Sequence, residues 1–175
     1  MRKSTADLIV LGVDPGPLAG VVGLRYSSQT RQQSAAPVVV QVSANALLPV
    51  LRALMPAGCQ VVLAYEMYVV SARSARASNP TANALTRSVC GQLSTLGSDH
   101  VFVMQRSMGQ ISEWASDARL TALGVFELTK QMRHARSAAR HAAYSAKVDL
   151  QMPDPLSRRF QRIKEAPQEN AECPA

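Results

Sequence analysis

The stretch Asp7-Leu8-Ile9-Val10-Leu11-Gly12-Val13-Asp14-Pro15-Gly16 decides how this chain is read. A short, unbroken apolar run ends on a carboxylate and then on a Pro-Gly turn, the pattern of a strand buried on both faces whose last residue stands at the sheet's edge. Working outward, a second strand is expected from Ala19 through Val21, Val22, Leu24 and Tyr26. Ser27 to Ala36 then forms a polar hairpin loop, and Val38 to Val42 is a third β-branched run.

Ser43 caps a helix running to Leu54, with Pro49 restricting how it begins. Gln60 to Glu66 is again a strand that terminates in a carboxylate. Thr81 to Leu96 has the periodicity of an amphipathic helix, Val101 to Met104 is a last strand, and after Gly124 the residues Phe126 to Lys147 read as one long Ala-rich helix. The order β-β-β-α-β-α-β-α predicts an α/β fold with a mixed five-stranded sheet, antiparallel in its first hairpin, parallel after it, and flanked by helices. That arrangement is RNase H-like. Residues 1–150 are expected to form this domain, and 151–175, with Pro153, Pro155, Pro167 and Pro174 among mixed charges, a flexible tail.

A chain of 175 residues buries one proper core. Its 19 Lys and Arg, fifteen of them Arg, exceed its 12 acids, giving a net charge of +7 that suits a polyanionic partner. No apolar run approaches the roughly 18 to 20 residues of a membrane span, and no signal-peptide core follows the first residues, so a cytoplasmic protein without membrane contact is expected. Cys59, Cys90 and Cys173 show no paired spacing and are expected as reduced thiols.

Asp14 and Glu66 end strands that the topology makes adjacent and parallel, which brings two carboxylates to one sheet edge, where ligand sites of α/β folds lie. Unneutralised, such a pair repels itself; a hard cation such as Mg²⁺ takes carboxylate oxygens and removes the repulsion.

Leu11-Gly12-Val13-Asp14-Pro15-Gly16 with Gly20 resembles the first-strand signature of RuvC-type Holliday-junction resolvases, and Tyr65-Glu66 resembles their second acidic position. His134-Ala135-Arg136-Ser137-Ala138-Ala139 falls where their last helix carries metal-facing residues. Trp114 to Leu120 and Met132 to Ala142 look most like the bacteriophage-encoded members, which would place the protein in the host cytoplasm. The resemblance implies a homodimer that cuts four-way junctions with Mg²⁺, Mn²⁺ serving as a substitute. It also implies Asp14, Glu66 and His134 as catalytic and metal-binding residues, with Ser137 as a further ligand. Ser137 stands where the family usually has an acid, so weaker metal binding is the expected consequence. A catalytically weakened junction-binding protein and an RNase H-like nuclease acting on RNA-DNA hybrids are the alternatives.

At 100° per residue His134, Ser137 and His141 share one helix face, although either histidine also reads as a buried structural residue. Arg133, Arg136, Arg140 and Lys147 share another; with Lys130 and Arg106 they form a phosphate track or, equally, a solvated face. Arg73 and Arg76 follow the Glu66 strand in a polar loop suited to a branch point, and Tyr68 beside them suits stacking on an unpaired base. Asp117 reads as an N-cap or first-turn acid, and Glu127 as too distant to share an ion with His134.

Overall fold

The computed structural model describes residues 7–68 and 79–157. β1 (Leu8–Asp14), β2 (Leu18–Tyr26) and β3 (Val38–Ser43) are followed by α1 (Ala44–Leu54), β4 (Gln60–Glu66), α2 (Pro80–Ser94) and β5 (Val101–Arg106). Two short helices, α3 (Met108–Ser112) and α4 (Asp117–Ala122), and a 3-10 turn at Glu127–Thr129 lead to the last helix, α5 (Arg133–Val148). The strands form one five-stranded mixed sheet in the order β3-β2-β1-β4-β5. β2 is antiparallel to both β1 and β3, whereas β1, β4 and β5 run parallel, so the chain is an α/β protein with its antiparallel hairpins first.

β1 lies at the centre of this sheet, which is why its sequence is continuously apolar instead of alternating. Leu8 and Val10 face a core shared with α5, while Ile9, Leu11 and Val13 face a second core closed by Leu47 and Leu51 of α1 and Val89, Cys90 and Leu93 of α2. Asn79 starts α2 by accepting a hydrogen bond from Thr81 N at 2.9 Å, with Pro80 in the first turn where its missing N–H costs nothing.

α5 packs on β1 and β2 through Ala135, Ala138, Ala139, Ala142, Ala143 and Ala146, all buried. Gly12 and Gly20 are the reason it packs so closely. A Cβ at Gly12 would collide with the backbone of Ala138 and Ala142, and one at Gly20 with the backbone of His134 and Ala135. These two glycines seat the helix backbone directly on the sheet, so the spacing of the first-strand motif carries a steric meaning.

The expected helix over Phe126–Lys147 is corrected: helical structure is interrupted after the 3-10 turn, and α5 begins at Arg133. The break falls at Met132, which leaves helical geometry at φ −124°, ψ 82° after its N–H closes a tight turn on Thr129 O at 3.0 Å. The tail boundary also moves. Met152 is buried in the core beside α5, and Asp154 accepts hydrogen bonds from Arg119, whose guanidinium stacks on Trp114. Residues 151–157 therefore belong to the packed body, and 158–175 lie outside the described residues. Cys59 and Cys90 are free thiols; Cys173 is likewise outside. Among the described residues no helix is long and apolar enough to cross a membrane.

Candidate functional site

Strand register builds the site. Val13 pairs with Tyr65 and Glu66 with Arg106, so Asp14, Glu66 and Arg106 stand in one row at the C-terminal ends of β1, β4 and β5. Side chains alternate along a strand, and Gly12 two residues earlier touches α5, so this row lies on the face that α5 covers.

Asp14, Glu66 and His134 border one cleft of about 460 Å³, together with Tyr68, Ser107 and Met108. His134 enters from the first turn of α5, and its Nδ1 is 2.8 Å from Asp14 Oδ2. Arg133 Nε–H, which can only donate, reaches His134 Nε2 at 3.2 Å, so the ring proton sits on Nδ1 and is donated to Asp14. Burial pushes the Asp14 carboxyl above the usual carboxylate range, against the lowering pull of the His134 hydrogen bond and the Arg133 charge. Burial also raises the Glu66 carboxyl, and the charge of Asp14 raises it further. Among the described residues no three His, Cys, Asp or Glu side chains stand together in a metal-holding arrangement.

Ser137 does not border the cleft. Its Oγ is buried with no hydrogen-bond partner among the described residues, as are both ring nitrogens of His141. Burial and the nearby charge of Arg106 lower the His141 pKa to about 4, which keeps this imidazole neutral. His141 is thus a buried residue, 1% exposed.

The expected phosphate track is dispersed. Arg106, expected as a DNA-contacting cation, is part-buried and ion-paired: its guanidinium donates to Asp149 at 2.6 and 3.0 Å and to Ser145 Oγ at 2.8 Å. Arg140 pairs with Asp117, a first-turn acid of α4 as expected, at 2.9 Å. Arg136 lies over the Phe126 ring with its Nε buried, and the exposed Lys130 is 3.7 Å from Glu127. Of the α5 cations Arg133 is the one beside the cleft, through its bond to His134, while Lys147 borders a separate hollow with Arg31. Arg73 and Arg76 lie outside the described residues.

Two positions escaped the sequence reading. Gln41 of β3 accepts from the backbone N–H of His134 at 3.0 Å and of Ala135 at 3.4 Å, supplying the start of α5 with the cap its own sequence lacks. The signal was a single polar residue in Val38-Val-Val-Gln-Val. Ser107 follows the end of β5 and so reaches the same sheet edge as Asp14 and Glu66. No family model matches the chain, and no curated protein matches it.

Proposed function

We propose that this protein is a Mg²⁺-dependent, structure-selective endonuclease of RuvC type on an RNase H-like fold, acting on Holliday junctions or other branched DNA. The observation that carries this reading is the cleft in which Asp14 and Glu66, on adjacent parallel strands, meet His134 of the covering helix. The sheet order, with an antiparallel opening and parallel crossovers, supports the fold assignment.

The donor set fits the ion. Two carboxylates, each raised by burial and one raised further by the other, present the hard oxygen ligands that Mg²⁺ or its substitute Mn²⁺ prefers. Asp14 and Glu66 are the residues that would hold the metal, which when bound lowers the pKa of an attacking water and stabilises the leaving oxygen. His134 donates its Nδ1 proton to one Asp14 oxygen and so fixes the orientation of that carboxylate. Arg133 adds positive charge at the cleft where a DNA phosphate would approach, and Tyr68 offers a ring for an unstacked base. A homodimer in the cytoplasm, the host's for a phage-encoded protein, accompanies this reading.

Ser137 favours one rival, a junction-binding protein of weakened catalysis, because a neutral buried hydroxyl stands where the resemblance leads one to expect an acid. Product mapping on a synthetic four-way junction, with and without Mg²⁺, tests both. The expected result is paired cuts that require Mg²⁺ and vanish in Asp14→Asn while gel-shift binding persists. Binding without cleavage selects the rival. Preferential cutting of an RNA-DNA hybrid in competition refutes the junction assignment, and cutting unchanged in Asp14→Asn refutes the site.

A further inference from the structure

Arg106 is the direct register partner of Glu66, yet its guanidinium does not go to that carboxylate. It turns toward the C-terminal turn of α5, where Asp149 holds it by two hydrogen bonds, Ser145 by a third, and the Tyr144 ring lies 5.4 Å away. The pair is well shielded, with side-chain exposures of 17% and 10%. His134, Ser137, His141 and Ser145 fall within roughly 80° on the helix wheel, so one polar stripe of α5 runs from Asp14 at its start to Arg106 at its end. Glu66 stands between those two anchor points, in the row that the strand register creates. A shielded guanidinium without a partner is costly, and a bidentate carboxylate is what its fork fits best. Without Asp149, the acid beside Arg106 in that row is Glu66.

We propose that Asp149 is a positioning residue for the candidate metal site: by holding Arg106, it withholds a competing cation from Glu66 and leaves that carboxylate open to a divalent ion. The metal part of this inference rests on the function proposed above; the withholding of Arg106 stands on the geometry alone.

Mn²⁺ affinity, measured by titration calorimetry on the full chain, is compared among the parent, Asp149→Asn, Arg106→Met and the double variant. Asp149→Asn is expected to weaken Mn²⁺ binding by about tenfold or more, within the range seen for residues that support metal ligands. Adding Arg106→Met is expected to restore the affinity to near the parent's, because the released cation is then gone. A merely structural clamp predicts the reverse, with the double variant as weak as Asp149→Asn or weaker, and that result overturns the proposal. So does an unchanged affinity in Asp149→Asn. A crystal structure of Asp149→Asn supplies the arm that needs no metal: Arg106 on the Glu66 carboxylate supports the proposal, and Arg106 still at Ser145 overturns it. A parent that binds no Mn²⁺, with Arg106 nevertheless moving onto Glu66 in the variant, refutes the metal reading and upholds the withholding.

Discussion

His134 Nδ1 stands 2.8 Å from Asp14 Oδ2, a bond that joins the start of the last helix to the end of the first strand across 120 residues of sequence. The helix arrives there because Gly20 lets its backbone touch the sheet and Gln41 caps its first N–H groups. The meeting of two buried acids beside one imidazole concentrates negative charge in the cleft once both acids ionise.

This charge gives the first prediction, on pH and metal. Both folded carboxyls titrate above their unfolded values, so the pair costs nothing below the ordinary carboxylate range. Its penalty grows as pH rises through the raised folded values, and is fully present above them. A cation that binds the ionised pair offsets that penalty. Mg²⁺ should therefore raise Tm at neutral and higher pH, by the equivalent of about 3 kcal/mol at a hundredfold excess over Kd, and have almost no effect near pH 4. Scanning calorimetry across that range checks this; a Mg²⁺ gain independent of pH contradicts it.

The second prediction concerns the glycines. Gly12→Ala and Gly20→Ala meet helix backbone, which cannot swing aside as a side chain can, so α5 must lift from the sheet. Each should cost about 3 kcal/mol or more in denaturant unfolding, at or beyond the upper range for overpacking. Gly91→Ala, inside α2 with open space around it, should instead stabilise by about 0.5–1 kcal/mol. Equal effects at the three positions would show that close helix approach is not what Gly12 and Gly20 provide.

Much of this geometry was legible in residues 7–16 and 60–66, because runs buried on both faces leave little freedom in where a terminal acid can stand. The pairing of Arg106 was not legible, since its partner Asp149 is 43 residues away and only the crossing of α5 brings them together. Helical periodicity around Thr129 was equally misleading. A wheel reports which residues share a face, but not that the backbone will leave helical geometry at Met132. The arginines on one face of α5 shared an angle, yet Phe126, which falls outside the observed helix, and Asp117 of α4 engage two of them.

His141 yields the third prediction, with the opposite pH sign. Its folded pKa of about 4 lies below the usual 6.5, so the unfolded chain takes up a proton that the folded chain refuses. Stability is full above pH 6.5 and falls as pH drops toward 4, by about 3 kcal/mol for this group alone. His141→Leu should flatten the urea-derived stability profile over that interval. A slope that survives the substitution would mean that other groups produce it.

Ser137→Asp separates a metal-facing position from a merely buried one. The hydroxyl it replaces is enclosed and unpartnered, so a carboxylate there adds a desolvated charge on the face of α5 that also carries His134. Without metal the variant should lose about 1–3 kcal/mol, the ordinary cost of an unsatisfied buried polar group, with the loss growing as pH rises and the acid ionises. Where residue 137 faces the ion, Mg²⁺ should recover that loss through the added oxygen ligands and raise junction cleavage at limiting metal. The two effects must appear together if residue 137 faces the ion. Destabilisation that Mg²⁺ leaves untouched at every concentration, with no gain in cutting, would assign Ser137 to the helix–sheet interface alone.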